Sequence, residues 1–261
     1  MGNFEFDGEK YKKASKHQKE WGGSLISQLE LNGNEIILDL GCGDGVLTDN
    51  LSSLVPDGKV IGIDASYGMI QTAKKFEKDN LSFIHMDINE MDFNNCFDLI
   101  FSNATLHWVK NHDKLLKHCF NALKTKGIIR WNFAAHGNCS NFFETIYAVM
   151  NENEFKNFYS NFKWPWYMPS KEEYKKLMEK TRFHIVYLEY ENADRYFSDS
   201  EEMIKWIDQP SIVPFIKCIP IENKENFRNR VIDMMIEKTE QSDGRCFETF
   251  RRIDLKAVKD I

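Results

Sequence analysis

Trp21, Leu25 and Leu29 recur at every fourth position, which predicts an amphipathic helix from about Lys12 to Leu31. Beyond it, short apolar runs alternate with helical patterns. Glu35–Leu40 reads as a buried strand, followed by a glycine-rich turn and a helix near Val46–Leu54. Lys59–Ile63 is a second strand, and Ser66 is placed to cap a helix whose inner face carries Met69, Ile70, Ala73 and Phe76. Leu81–Met86 and Phe97–Ser102 give the third and fourth strands. A helix with Leu115, Leu116, Cys119, Phe120 and Leu123 on one face leads to a fifth, Gly127–Phe133. Strands separated by helices in this way belong in a parallel sheet covered on both faces.

The second half has a different rhythm. Phe142, Phe143, Ile146, Val149 and Met150 mark another amphipathic helix, and an aromatic-rich stretch follows: Phe155, Phe158, Tyr159, Phe162, Trp164, Trp166 and Tyr167. Ser170 with Glu173 and Ser198 with Glu201 both fit the reciprocal capping box. Phe183–Tyr190 reads as a sixth strand, Asn223–Glu240 as a helix, and Arg245–Leu255 as a last strand. The expected fold is α/β: a doubly wound, seven-stranded, mostly parallel Rossmann-like sheet with a helical cap. The expected division is a core over 1–150 and, over 151–261, the last strands plus a cap inserted at about 198–241.

Composition narrows the classes. The 261 residues carry 34 Lys and Arg against 40 Asp and Glu, a net charge of -6 that argues against a nucleic-acid binder. Six scattered cysteines form no CxxC pair and have no histidine at zinc spacing, so neither a disulfide framework nor a metal is expected. No apolar run reaches the ~20 residues that span a bilayer, and Met1–Tyr11 is polar and acidic. The expectation is a cytoplasmic protein without membrane partners, with a monomer as the default. Aromatics make up 13%, a surplus that either lines a pocket or packs the cap.

The chemistry concentrates after the first strand, in Gly41-Cys42-Gly43-Asp44-Gly45. Glycines there let the backbone turn sharply and approach a ligand with no Cβ in the way. The following helix N-terminus offers free N–H groups, which places an anionic ligand group against it. A dinucleotide fingerprint G-x-G-x-x-G requires glycine at the position held by Val46, which disfavours a dehydrogenase. Asp64 and Asp87 each end a strand, where an aspartate serves either a ligand or a helix cap.

The run Leu38-Asp39-Leu40-Gly41-Cys42-Gly43-Asp44-Gly45, with Asp64 and Asp87 in order behind it, resembles motif I and its partners in the class I S-adenosylmethionine-dependent methyltransferases. Phe97–Val109, ending Leu106-His107-Trp108-Val109, is similar to the small-acid carboxyl O-methyltransferases, among them the trans-aconitate, juvenile hormone acid and malonyl-carrier enzymes. The similarity covers roughly Tyr11–His136. It implies S-adenosylmethionine as cofactor, with Asp64 on the ribose hydroxyls and Asp87 and Ile88 at the adenine. It further implies Ala65, Met69, Asp39, Gly41, Gly43 and Gly45 among the cofactor-binding residues, and Tyr11 and Asn103 near the methionine end. Gln18 and Trp108 then face an acceptor carboxylate, with His107 beside them. A small-molecule acid is the implied acceptor. A phenol or amine, deprotonated by His107 or by His136 after the fifth strand, and a non-catalytic binding module are the alternatives.

Overall fold

The computed structural model describes residues 16–260. They form two compact units, one of residues 16–136, 166–191 and 252–260, the other of 137–165 and 192–251. This differs from a single cut near residue 150. Two late strands return to complete the first unit's sheet, and residues 137–165 join the second.

The first unit is built on seven strands ordered β3-β2-β1-β4-β5-β9-β6. They are β1 (Ile36–Leu40), β2 (Lys59–Asp64), β3 (Leu81–His85), β4 (Phe97–Asn103), β5 (Leu123–Ala134), β6 (Phe183–Asn192) and β9 (Arg251–Lys259). β1 pairs parallel with β2 and β4, β2 with β3, and β4 with β5, whereas β9 runs antiparallel to β5. Alternation along the strands sends side chains to two cores. Ile37, Leu99 and Phe101 meet α1 (Lys16–Ser27), α2 (Val46–Leu54) and α3 (Tyr67–Ala73) through Leu25, Leu51 and Ile70. Leu38, Leu40 and Ile100 share the other core with Leu115 and Cys119 of α4 (His112–Ala122) and Tyr174 and Met178 of α6 (Lys171–Met178). Ser66 caps α3 as expected, and Ser170 and Glu173 close their capping box on α6.

Two local expectations are corrected. Arg245–Leu255 is not one strand: β8 (Cys246–Glu248) pairs with β7 (Arg195–Phe197) in a separate two-stranded sheet, and β9 begins at Arg251. Between them Thr249 leaves the ladder, its carbonyl accepting from Cys139 N and its hydroxyl meeting Ser140. The other capping box shifts by one residue. Asp199 caps α7 (Ser200–Trp206) by accepting from Glu202 N, while the Glu202 carboxylate takes the Ser198 N–H.

The second unit holds α5 (Ser140–Met150), α7, α8 (Val213–Ile216) and α9 (Lys224–Thr239) with the β7–β8 pair. Its core is aromatic: Phe142 packs edge-on against Trp206 and Phe215, and Phe155 against Phe227. Glu248 is fully buried and accepts from the N–H groups of Asn141 and Phe142 at the start of α5 and from Thr249 N. Burial outweighs these bonds and raises its carboxyl from 4.5 to about 7. A carboxyl raised on folding adds stability below its unfolded pKa and loses it as pH rises through the folded one. Glu248→Gln, neutral at every pH, should therefore gain stability relative to the wild type as pH rises from ~5 to ~8, a swing of about 3 kcal/mol at most. Thermal melts of both proteins across this range check it.

Candidate functional site

Parallel pairing carries the C-terminal ends of β1, β2, β3, β4 and β5 to one edge of the sheet. β1 exits into a turn in which Gly41, Gly43 and Gly45 all have left-handed backbones, with φ of 73°, 55° and 82°. Only one of these glycines is open. A Cβ on Gly41 would lie 2.0 Å from the Thr105 methyl, and one on Gly45 2.8 Å from Ala73 Cβ. A Cβ on Gly43 would meet none of the described residues within 4 Å. Gly41 and Gly45 thus serve packing, and Gly43 is where the backbone faces open space.

The anionic group expected at the N-terminus of α2 is already supplied by the chain. Asp44 Oδ1 lies 3.4 Å from Val46 N, and its Oδ2 accepts from Lys19 Nζ at 2.8 Å. Gly43 N instead donates to Asp64 Oδ2 at 3.0 Å, while Asp64 Oδ1 accepts from Ser66 N at 2.8 Å. Two backbone donors therefore fix the plane of the Asp64 carboxylate, whose oxygens together accept about four hydrogen bonds.

Asp39 has a different place from the other two acids. It is buried, accepts from Thr48 Oγ1 at 2.7 Å, and so ties β1 to α2. Desolvation raises its carboxyl to about 7 despite that bond, with Asp64 adding to the rise. Asp87 caps the turn Ile88–Glu90, its Oδ1 accepting from both nitrogens of Asn89 at 2.8 Å. Ala65 accepts from His85 Nε2 through its carbonyl, and Met69 and Ile88, which follow Asp64 and Asp87 in the chain, are buried. From the glycine turn to Asp87 is two strand spacings, about 10 Å, close to the length of a nucleoside. The open Gly43, the oriented Asp64 and the apolar Met69 and Ile88 suit a nucleoside-bearing cofactor.

At the exit of β4, Asn103 is buried and Ala104 adopts a left-handed backbone, φ 57°, with its N–H on Asn132 O at 2.8 Å. A non-glycine residue in this region is strained and is held by its surroundings. Thr105 Oγ1 donates to Gly41 O at 3.1 Å and so joins this exit to the glycine turn. His107 and Trp108 follow in a short turn, Leu106–Trp108, with ring centroids 5.8 Å apart. Trp108 packs edge-on against Trp166 at 5.2 Å, and His107 O accepts from Tyr167 N. His107 Nδ1 is buried with no partner among the described residues. Desolvation, with Arg252 and His112 adding to it, lowers the His107 imidazole to about 3. His136 is exposed, its N–H on Pro169 O and its carbonyl under the Tyr190 hydroxyl. Tyr11 lies outside the described residues, and Gln18 is placed only as a backbone position in α1.

The aromatic stretch divides between the units. Tyr159, Phe162 and Trp164 pack with Phe227, Phe215 and Phe143 in the second, whereas Trp166 and Tyr167 join the first beside Trp108 and His112. Two residues at this edge escaped the sequence. Gly22 in α1 lets the helix pass Leu47 of α2 and Asn103, since a Cβ there would lie 2.2 Å from Leu47 Cδ1 and 3.0 Å from Asn103 Nδ2. Arg252, buried at the start of β9, gives Nε to Asn132 Oδ1 and Nη2 to Asn132 O, and its guanidinium lies 4.2 Å from the centre of the Trp21 ring. The available signal was the alternation of Arg252 and Asp254 with Ile253 and Leu255, which marks a strand with charges on one face.

Comparison with known proteins places the chain in a family. A methyltransferase-domain family model matches residues 31–182. A methyltransferase of Schizosaccharomyces pombe is 30% identical over 243 residues, covering 90% of this chain and 91% of that one. A malonyl-[acyl-carrier protein] O-methyltransferase of Acetivibrio thermocellus is 32% identical over 137 residues, 51% of this chain and 48% of that enzyme. A trans-aconitate 2-methyltransferase of an Enterobacter species is 24% identical over 238 residues, 90% of this chain and 91% of that one. Phosphoethanolamine N-methyltransferase 2 of Haemonchus contortus, solved with S-adenosyl-L-methionine, shares the fold with a TM-score of 0.61 at 19% identity, over 97% of this chain and 57% of that one. The chain belongs to the methyltransferases, and its cofactor is S-adenosylmethionine. The resemblance read from the glycine turn and from Phe97–Val109 is borne out.

Proposed function

We propose that the chain O-methylates a carboxylate of a small acid to give a methyl ester. The cofactor would be held by the open backbone at Gly43, by Asp64 and Asp87, and by the apolar walls Met69 and Ile88, with Asn103 toward its methionine end. S-Adenosylmethionine supplies a methyl group carried on a sulfonium. The residues at the exit of β4 then have to hold an acceptor oxygen in line with that methyl, and positioning of this kind supplies ~7–11 kcal/mol at its best.

The observation that carries the acceptor class is His107. Its imidazole, lowered to about 3, is neutral at pH 7 and too weak a base to deprotonate a phenol or an ammonium effectively. A carboxylic acid with pKa ~4 is already ionised and requires no base. The buried surroundings also suit the charge change, because carboxylate and sulfonium are both neutralised as ester and thioether form. The malonyl-carrier and trans-aconitate relatives, methyltransferases of acids by name, support the same class.

A screen of small acids against phenols and amines, scored by thioether release and base-labile methyl ester, tests this. Acids should be turned over, with a rate flat between pH ~6 and ~8. His107→Asn should lower kcat less than about tenfold, where a general base would cost 100-fold or more. Activity confined to phenols or amines, or a 100-fold loss in His107→Asn, would overturn it.

A further inference from the structure

We propose that His112 is a positioning residue for methyl transfer: through the Leu106 carbonyl it fixes the turn that presents His107 and Trp108 to the acceptor. This rests on the acceptor meeting that turn, as in the reading above. His112 is buried at the start of α4, six residues after Leu106. Its Nε2 lies 3.0 Å from Leu106 O, and its Nδ1 lies 2.9 Å from the hydroxyl of Tyr174, a fully buried residue of α6. A carbonyl can only accept, so Nε2 carries the ring proton. Desolvation lowers the imidazole to about 4, although the Leu106 bond and Asp113 act the other way. At pH 7 the ring is therefore neutral and Nδ1 holds a lone pair. The Tyr174 hydroxyl donates to that lone pair, and its bond selects the tautomer that reaches Leu106.

Leu106 O also accepts from Val109 N at 2.9 Å, the bond that closes the turn Leu106–Trp108, so His112 occupies its second lone pair. The next carbonyl is held as well, His107 O accepting from Tyr167 N at 2.8 Å. Just upstream, Thr105 Oγ1 donates to Gly41 O. The turn thus stands between two anchors, the glycine turn on one side and the His112–Tyr174 pair on the other. A single turn of this tight kind has poor hydrogen-bond geometry of its own and takes its shape from such anchors. The His112 ring also packs against Phe133, Tyr167 and Tyr174. Phenylalanine would serve that packing equally. A buried polar ring that commits one nitrogen to a hydroxyl and the other to a carbonyl has an orienting task. In-line transfer is sensitive to such placement, because a shift of about 1 Å costs up to about 100-fold in rate.

Initial rates with the best acceptor of the screen above, and calorimetry with S-adenosylmethionine, test this on Tyr174→Phe, His112→Gln, His112→Phe and the Tyr174→Phe/His112→Phe double variant. Tyr174→Phe, which keeps the ring and frees the tautomer, should lower kcat about three- to tenfold. His112→Phe, which fills the volume without a donor, should lower it about 30-fold or more. His112→Gln, whose amide nitrogen stands in for Nε2, should recover most of that loss. The losses should fall on kcat rather than on acceptor KM, with cofactor affinity changing less than about threefold. Because Tyr174 acts through His112, the double variant should be no slower than His112→Phe. Nitrogen chemical shifts of His112 should show the Nε2–H tautomer in the wild type and a mixture in Tyr174→Phe. Losses that add in the double variant, His112→Gln no faster than His112→Phe, or losses shared by cofactor binding would overturn the assignment and leave carboxylate methylation standing. Should His112→Phe fail to fold, Tyr174→Phe decides, and an unchanged kcat there would overturn it. A protein that methylates only phenols or amines would overturn the carboxylate reading alone, the same ratios then being read on that acceptor.

Discussion

Gly43→Ala is expected to leave a folded protein that no longer holds its cofactor, and Gly41→Ala a protein that scarcely folds. The two glycines stand two residues apart with similar left-handed backbones, φ 55° and 73°. Strain from placing an L side chain there is shared, at about 1–2 kcal/mol. What differs is the space beyond. At Gly41 a Cβ would lie 2.0 Å from Thr105 Cγ2 and 2.4 Å from its Oγ1, the hydroxyl that ties β4 to the turn. Overpacking and strain together should cost about 3–5 kcal/mol. At Gly43 the same methyl enters empty space, so melting should fall by only several degrees. Calorimetric affinity for S-adenosylmethionine should then fall tenfold or more, roughly 1.4 kcal/mol, because the methyl stands where the ligand would approach. Normal binding by Gly43→Ala would show that the turn does not face the cofactor.

Asp64→Asn is expected to weaken S-adenosylmethionine about 100-fold. The carboxylate accepts from Gly43 N and Ser66 N, and the proposed ribose contacts would add charge-assisted bonds of about 1.5–3 kcal/mol each. An amide has the same shape but a single acceptor oxygen, so its NH2 would have to face one of the two backbone donors. The glycine turn would then loosen at Gly43 while the ribose loses its anionic acceptor. Asp87→Asn should be milder, since the acid caps its turn through one oxygen that an amide can reproduce. Titration calorimetry on both variants separates the roles, and equal losses would contradict them.

The sheet was legible because strands buried on both faces are apolar throughout and the intervening helices are amphipathic. Gly41, Gly43, Gly45 and Asp64 were legible because a strand–turn–helix junction at a ligand edge demands those residue types in that order. The different tasks of the three glycines were not, because they depend on Thr105, Ala73 and Phe83 folding back on the turn. Asp39 has the same local pattern as a ligand acid, and only burial against Thr48 marks it as a tie. Arg252 was hidden by distance along the chain: Asn132 lies 120 residues away and Trp21 farther still. The break between β8 and β9 depends on Thr249 meeting Ser140, a contact between residues 109 apart.

The place of β9 between β5 and β6 has a consequence for the order in which the protein is made. β5 and β6 both leave the ribosome before β9, so each presents an open edge until the last described strand arrives. With 120 residues between Asn132 and Arg252, that wait is on the order of ten seconds at typical synthesis rates. An unpaired edge in that interval invites pairing with a neighbouring nascent chain. Arg252 travels on the strand that ends the wait, so the guanidinium meets Asn132 in the same step that seals the sheet.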